Sequence, residues 1–450
     1  MSGTSAQAPG AGADKAGPPT LRGLLLTSSY VRLLVLCVLV GVPVALAAFF
    51  FVSLQHVLQH WVWHTLPEDL GYGRAPWWWP LPALLLAGLI LAPVITRLPG
   101  GGGHLPVLGI GGPPLGPSAL PGVALAALAT LPLGVVLGPE APLMALGSGL
   151  ALLAVRSAKR TAEPQSALIL ATAGSTTAIS TILGGPVVAV LLVIEAAGLG
   201  GPQLVALVLP CLIASGVGGL VFTGFGSWTG LSIGALRLPE VPPDANPDAG
   251  DFLWGIPMAV LIALIITMGR RLGRLTAGWT GRQTAVRTVL CAFAVGVCIA
   301  AYALITGRSP EEAALSGQAT IADLAAHPHA WSVGALVALV ACKGLAWGIS
   351  LGALRGGPIF PALMLGSAVG IACSGLPGLG TTAGFTIGTA TATAAVTGLP
   401  VSSAVLTVLL MGSDAHSQMP LIVLGVVVAL IVRELATRPE AASQPPIGHE

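Results

Sequence analysis

A chain of 450 residues with 54% hydrophobic and only 8% charged residues cannot cover the surface of a water-soluble globule of that size. The mean hydropathy of +0.89 agrees with this exclusion. A formal net charge of +2 gives no indication of nucleic-acid binding. The composition therefore predicts an integral membrane protein whose surroundings are the lipid bilayer.

The chain begins with a segment that does not resemble a membrane span. Residues 1–20 are rich in Ala, Gly and Pro and predict a disordered tail, and residues 436–450 predict a second one. No removable signal peptide is predicted before the first apolar run. Apolar runs that can cross most of a hydrocarbon core of roughly 30 Å follow in order. They are Leu33 to Val52, Leu81 to Ile95, Leu204 to Phe222, Leu253 to Met268, Val289 to Ile305 and Leu421 to Val432.

The distribution of positive charge predicts the orientation in the membrane. Two basic clusters lie between predicted spans, whereas residues 239–251 carry four acidic residues and no basic one. By the positive-inside rule, the basic clusters face the cytoplasm and residues 239–251 face out. Basic residues beside the first and last spans put both termini in the cytoplasm, in a multi-pass protein of the inner (plasma) membrane. These basic groups are Arg156, Lys159 and Arg160; Arg270, Arg271, Arg274, Arg282 and Arg287; Lys15, Arg22 and Arg32; and Arg433 and Arg438.

A phrase rich in helix breakers occurs twice, 219 positions apart. Residues 138–148 read GPEAPLMALGS and residues 357–367 read GPIFPALMLGS, with six of eleven positions identical. A second pair, GGPV at 184–187 and GLPV at 398–401, lies at an offset of 214. The sequence therefore predicts a duplicated unit. Paired interruptions in corresponding halves of a membrane protein point to a binding site made from broken helices.

Each Gly-Pro-x-x-Pro pattern predicts a helix start. Two prolines three positions apart fit the first turn of a helix, where the amides have no partner within the helix. Such a start exposes N–H groups and carries about half a positive charge, and this combination binds anions. Two such starts that converge within the membrane would hold an anion without any Lys or Arg.

Glu140 lies within the first of these helix starts. An ionisable side chain at membrane depth costs roughly 2.5 to 3.5 kcal/mol and usually faces a watery pathway or a partner. A carboxylate beside helix N-termini competes with an anion for the same place. It would block the pathway when charged and leave when protonated. The alternative is that Glu140 only caps its own helix.

These motifs resemble those of the CLC family of chloride channels and chloride/proton exchangers. Residues 138–142 (GPEAP) resemble the family's Gly-(Lys/Arg)-Glu-Gly-Pro, whose glutamate is the gate. Residues 357–361 (GPIFP) resemble its Gly-x-Phe-x-Pro, and residues 102–106 (GGHLP) are similar to its Gly-Ser-Gly-Ile-Pro. The helices after Pro186 and Pro400 also match in order and spacing. The similarity extends over residues 30 to 435.

The resemblance implies an all-α integral membrane fold of two inverted repeats with re-entrant broken helices. Residues 21–435 would form one membrane domain, with repeats over about 30–225 and 250–435, and the protein would be a homodimer. Glu140 would be the gate. The residues that would surround the anion pathway are Gly102, Gly103, His104, Gly138, Pro139, Ala141, Pro142, Gly357, Pro358, Ile359, Phe360 and Pro361.

Several departures from the family pattern bear on mechanism. Pro139 stands where the family has a basic residue, and Gly103 stands where it has a serine that contacts the anion. Pro358 has no N–H to donate, and the family's late tyrosine has no counterpart. The central site would therefore bind anions more weakly, or depend on the remaining amides of Ile359 and Phe360.

Other charged residues within apolar segments leave two interpretations each. The family's inner proton-relaying glutamate corresponds to Ala196, so the adjacent Glu195 is either a candidate relay or a structural partner. Lys343 is a paired or snorkelling cation rather than a pore ligand. Arg355 either raises the positive potential at the pore mouth or anchors the chain at the cytoplasmic face, and the second interpretation is favoured.

His56, His60 and His64 are spaced four residues apart where the first span should emerge. On a helix they could offer imidazoles to a metal, but their tryptophan neighbours favour anchoring at the membrane interface. No cofactor and no metal is predicted; chloride is the transported ion.

The sequence thus favours passive or proton-coupled transport of chloride and other small monovalent anions, gated by Glu140. It leaves open whether the protein is a channel or an exchanger, with Ala196 favouring weak or absent coupling. A fluoride-selective relative and a secondary transporter of an organic anion are the alternatives within transport. An enzyme is not predicted, because Glu140 and Glu195 lie on separate helices with no Ser/His pairing between them. A scaffold would tolerate Glu140→Ala silently.

Overall fold

The structure is a computed structural model that describes residues 27–109, 112–157, 164–198, 200–229 and 246–436, together with Leu238. Both predicted tails lie outside these ranges, apart from Ala436. Secondary structure in the described ranges is helical, and an isolated bridge between Gly138 and Gly357 is the β interaction found there. The fold is therefore the all-α membrane fold that the sequence predicts.

In the first half, α1 continues through a π-helical turn at Trp61–Thr65 to Asp69, and short 3₁₀ turns lie at Pro99–Gly102, Pro106–Leu108 and Pro117–Ala119. The helices are α1 (Ser28–His60), α2 (Pro80–Arg97), α3 (Leu120–Thr130), α4 (Glu140–Ser157), α5 (Pro164–Ser180), α6 (Pro186–Ala197) and α7 (Gly201–Thr229).

In the second half, residues 307–332 connect two long helices, and we call them the outer segment after the predicted orientation. The helices are α8 (Ala249–Thr280), α9 (Thr284–Thr306), α10 (Gln318–Ala326), α11 (Val333–Ala353), α12 (Ile359–Cys373), α13 (Thr381–Thr397), α14 (Pro400–Met411) and α15 (Ala415–Ala436). Further 3₁₀ turns lie at Pro310–Glu312, Pro328–Ala330 and Gly412–Asp414.

Seven helical segments in the described ranges are long and apolar enough to cross a membrane. Six of them contain the runs predicted from the sequence. The seventh is Val333–Ala353, the apolar segment around Lys343, which is not among the spans predicted from the sequence. Glycines and Lys343 interrupt its apolar pattern, and this explains the omission. The chain is a multi-pass membrane protein.

The predicted helix starts are confirmed. Helix α4 begins at Glu140 and α12 at Ile359, directly after the two Gly-Pro pairs, and α6 and α14 begin at Pro186 and Pro400. Three of these helices, α6, α12 and α14, have 12 to 15 residues and are short relative to the roughly 20 residues that span a bilayer. They are the interrupted helices that the Gly and Pro content predicts.

Equivalent glycine contacts fix the broken helices in both halves. In the first half Gly147 of α4 packs against Gly174 of α5, and in the second half Gly366 of α12 packs against Gly388 of α13. A methyl group at any of these positions would collide with the backbone of the facing helix. Small residues permit such close helix approach within membranes. Gly366 follows Gly147 by 219 positions and Gly388 follows Gly174 by 214, which are the offsets of the two repeated phrases. This agreement supports the duplication.

Candidate functional site

The two Gly-Pro turns lie directly against each other. The amide of Gly138 donates to the carbonyl of Gly357 at 2.8 Å, and the amide of Gly357 donates back to the carbonyl of Gly138 at 2.6 Å. This reciprocal pair joins the two halves of the chain and brings the N-termini of α4 and α12 together. The turns that the sequence singled out are thus brought to one buried place.

The Glu140 side chain reaches across to the other helix start. Its Oε1 accepts a hydrogen bond from the amide of Phe360 at 2.9 Å, in the first turn of α12. The residue is 1% exposed, and its Oε2 has no hydrogen-bond partner in the described residues. A carboxylate oxygen bonded to the first turn of a neighbouring helix occupies a position suited to an anion. We call the space bounded by Gly138, Gly357 and the Phe360 amide the anion seat.

A run of four glycines shapes the chain at the GGHLP motif of residues 102–106. Gly100, Gly101, Gly102 and Gly103 all have positive φ values, 76°, 54°, 73° and 107°. Side chains other than glycine are strained in this backbone region, so the run forms a tight turn before His104. The structure brings Gly103 near Val123 of α3 and places His104 on a cavity shared with Glu140.

Arg355 supports this glycine turn from behind. Its Nε donates to the carbonyl of Gly101 at 3.0 Å, its Nη1 donates to the carbonyl of Leu354 at 3.3 Å, and the residue is 8% exposed. The favoured interpretation, an anchor at the cytoplasmic face, is therefore wrong. The guanidinium is buried, and it is bonded to the four-glycine turn and to the backbone just before Gly357. Its charge lies beside the glycine turn, and the residue lines neither cavity described below.

A cavity of about 590 Å³ approaches Glu140 from one side, and we call it the inner cavity after the predicted orientation. Its walls come mainly from α4, α5, α6 and α7, and they are largely apolar. Glu140, Ala141 and Pro358 line it at the starts of α4 and α12, and His104 and Ala196 line it as well. The cavity thus leads from α5, which follows the basic residue Arg156, to the anion seat.

A second cavity, of about 720 Å³, approaches the same turn at Pro139, and we call it the outer cavity. It is lined by the end of α1 and by residues 309–331. Helix α1 relates the two cavities: Tyr30 near its start bonds the carbonyl of Ala206, which lines the inner cavity, and His56 near its end lines the outer cavity. Residues 139 and 140 therefore separate cavities that lie toward opposite ends of a membrane span.

Glu195 is a structural partner in the structure. Its Oε1 accepts from the amide of Val401 at 2.8 Å and its Oε2 accepts from the amide of Ser402 at 2.7 Å. The carboxylate thereby caps the N-terminus of α14, whose first amides lack partners within the helix. Ala196, the next residue, lines the inner cavity instead. Glu195 and the position that corresponds to the family's relay, Ala196, thus face different surroundings.

Replacing Glu195 by glutamine is expected to lower stability by about 0.5–2 kcal/mol, since a helix cap that accepts two amides loses one of them. Chloride flux and any proton flux should remain at the level of the wild type. The measurement is thermal unfolding in detergent together with ion flux in liposomes, with the exposed Glu68→Gln as the matched control. A selective loss of proton flux in the Glu195 variant would instead support a relay.

Lys343 is held by two backbone carbonyls, and it lines neither cavity. It is fully buried in α11, and its Nζ donates to the carbonyl of Ala314 at 2.7 Å and to the carbonyl of Glu312 at 3.3 Å. Both carbonyls belong to the segment that lines the outer cavity. The ammonium group therefore holds the outer segment in place.

His56, His60 and His64 line the outer cavity. Anchoring at the membrane interface, which their tryptophan neighbours favour, therefore does not describe them fully. The rings of His60 and His64 stack with centroids 5.0 Å apart, and His64 Nε2 lies 3.2 Å from Glu311 Oε2. Across the described ranges, no group of three or more His, Cys, Asp or Glu side chains is arranged to hold a metal ion.

Sequence reasoning missed the outer segment that follows α9. The Glu312 carboxylate accepts from Arg308 Nε and from the Tyr302 hydroxyl, and the Arg308 guanidinium lies 3.8 Å from the centre of a Trp331 ring. Partial burial lowers the pKa of Arg308, but Glu312 outweighs that effect and raises it above the usual range. Leu315 in this segment has a φ of 61°, which is strained for a branched side chain. The signal available was the acidic pair at 311–312 within an apolar sequence.

Comparison with known proteins identifies the class. The family model described as "Voltage gated chloride channel" matches residues 106–434. Among solved structures, a slow cyanobacterial Cl⁻/H⁺ antiporter superposes with a TM-score of 0.70 at 18% identity, covering 90% of this chain and 94% of the other. A CLC-type fluoride/proton antiporter superposes with a TM-score of 0.68 at 17% identity, covering 90% and 96%. A eukaryotic CLC transporter gives 0.68 at 18% identity, covering 91% and 72%.

Curated relatives match over a shorter stretch. The candidate ion-transport protein YfeO of Salmonella paratyphi A is 33% identical over 158 residues, which are 34% of this chain and 37% of that protein. Its counterpart in Salmonella newport matches to the same extent. The match spans well under half the length of these curated relatives, and the solved structures share the fold of this chain. The chain belongs to the CLC family, whose model covers most of its length.

Proposed function

We propose that this protein carries small monovalent anions, chloride first, through the outer cavity, the anion seat and the inner cavity, with Glu140 as the gate. The observation that carries the proposal is the hydrogen bond from the Phe360 amide to the Glu140 carboxylate. The side chain occupies the place that an anion would take at the N-terminus of α12. Pathway membership of the residues named from the motifs is part of the same proposal.

The mechanism follows from competition for the seat. The partial positive charge at the start of α12 stabilises one negative charge, either the carboxylate or an incoming anion. Protonation neutralises Glu140, and the neutral side chain gives up the seat to the anion. Gly103 offers no hydroxyl and Pro358 no amide, so anion binding at the seat depends on the amides of Ile359 and Phe360. Because few donors remain, we expect weak binding and fast release.

Proton coupling is proposed to be weak or absent. Glu195 is engaged as the cap of α14, and Ala196 has no ionisable group in the inner cavity. Fluoride is the second candidate substrate, supported by the fold similarity to a fluoride/proton antiporter. The proposal is transport and includes no enzymatic step. It places a homodimer in the inner (plasma) membrane with both termini in the cytoplasm, as the charge distribution favours.

The test is chloride efflux with simultaneous proton uptake in liposomes, comparing the wild type with Glu140→Gln. The wild type should conduct faster at acid pH because protonation vacates the seat, and the glutamine variant should conduct at all pH values because it is permanently neutral. Glu68→Gln, the same change at an exposed carboxylate, should behave as the wild type. Identical pH dependence in the wild type and Glu140→Gln would contradict the gate, and no anion flux from either would contradict transport.

A further inference from the structure

His104 is an unexplained polar residue on the inner cavity. It lies directly after the four-glycine turn, and it shares the cavity with the Glu140 carboxylate. The remaining walls near Glu140 are largely apolar. An ionisable group in such a place is either a satisfied structural residue or one whose charge acts on the transported ion.

The hydrogen bonding of the ring leaves one nitrogen available for a proton. His104 Nε2 lies 3.0 Å from the carbonyl oxygen of Pro113. A carbonyl oxygen only accepts, so Nε2 carries the hydrogen and donates it in both protonation states. In the neutral ring Nδ1 is therefore unprotonated, and it has no hydrogen-bond partner in the described residues. Protonation at Nδ1 adds a positive charge without breaking the bond to Pro113.

The surrounding backbone holds the ring in the cavity wall. A methyl group on Gly112 would lie 3.0 Å from the His104 ring atoms Cδ2 and Nε2, so the backbone of this loop packs directly against the imidazole. Among the described residues, the charged groups that face this region are the Glu140 carboxylate of α4, in the same cavity, and Arg355, which donates to the Gly101 carbonyl. The other described side chains that line the cavity are uncharged.

We propose that His104 is a titratable anion-attracting residue of the inner cavity, and that its protonated ring raises anion flux independently of the Glu140 gate. The inference rests on the proposed anion transport. A positive charge beside a largely apolar route attracts anions and raises their local concentration. The pathway, which lacks the motif hydroxyl at Gly103, thus gains an electrostatic attraction that depends on pH.

The experiment separates His104 from Glu140 by working in the Glu140→Gln background, where the gate no longer titrates. Chloride efflux from liposomes is measured with the same pH on both sides, so that protein orientation does not matter. Flux through Glu140→Gln should rise about threefold or more when the pH of both solutions is lowered from about 8 to about 5. The double variant E140Q/H104Q should lose most of this rise, since glutamine keeps a donor for the Pro113 carbonyl but gains no charge.

Two further variants make the result specific. E140Q/H416Q removes an exposed histidine at the start of α15 and should keep the rise. E140Q/H104K supplies a permanent charge and should give high flux at every pH. Retention of the rise in E140Q/H104Q, or a pH-dependent flux in E140Q/H104K, would overturn the role of His104 while leaving the Glu140 gate intact. Absence of chloride flux from Glu140→Gln itself would instead contradict the proposed function.

Discussion

A single methyl group at Gly138 is expected to reduce chloride flux by roughly tenfold or more, since overpacking a filled site costs about 1–3 kcal/mol. A Cβ built on Gly138 would meet three atoms first, and all belong to the Glu140 carboxyl group, with Cδ at 2.6 Å. The methyl group would therefore fill the anion seat itself. An anion that enters after Glu140 leaves would meet the same obstruction. Chloride efflux from liposomes measures the effect.

The double variant G138A/E140Q tests whether carboxylate and anion use the same space. If they share the seat, removing the charge of Glu140 does not restore flux, and the double variant should be as slow as Gly138→Ala. Fast flux in the double variant would mean that anions pass elsewhere. Gly344→Ala is the matched control, because no atom lies within 4 Å of its added methyl group. It should conduct as the wild type.

The sequence predicts the seat well because local chemistry determines it. Two prolines three positions apart after a glycine favour a helix start, so the patterns at Pro139 and Pro358 locate the beginnings of α4 and α12 without knowledge of the fold. The contact between these two helix starts follows from the duplication and not from the local sequence pattern. The short reciprocal hydrogen bonds between Gly138 and Gly357 are the structural form of that symmetry.

Contacts between distant residues could not be predicted in the same way. Glu195 caps α14 through amides more than 200 positions away, and no sequence pattern links a carboxylate to a particular helix start. Arg355 is similar, because its carbonyl partner at Gly101 lies in the other half of the chain. Apolar periodicity reports which segments are buried, but it does not report which buried polar groups satisfy each other.

Conformation also limited the prediction around the cavities. The four-glycine turn is readable as a break, but its consecutive positive φ values and the resulting position of His104 need the surrounding helices. The outer segment depends on one strained residue, Leu315, whose backbone is held by the Gly134 carbonyl at 3.3 Å. Strain of this kind persists only where neighbouring structure imposes it.

Removal of the Lys343 side chain is the largest stability change that we expect from a single substitution outside the seat. Lys343→Ala should destabilise the protein by roughly 3–5 kcal/mol, since it leaves both a cavity and an unsatisfied carbonyl at Ala314. The Glu312 carbonyl keeps a hydrogen bond from Thr320 Oγ1. Thermal unfolding in detergent, followed by size-exclusion chromatography, measures the loss.

Lys343→Met separates the two causes, because methionine keeps most of the packing and removes only the ammonium donor. It should cost about 1–3 kcal/mol, the usual penalty for a buried acceptor without a donor. Leu345→Ala, on an exposed face of the same helix, should stay within about 0.5 kcal/mol of the wild type. Equal stability of Lys343→Ala and Leu345→Ala would show that the outer segment is held by other contacts. A large loss in Lys343→Ala with none in Lys343→Met would assign the effect to packing rather than to the hydrogen bond that fixes Ala314 beside Leu315.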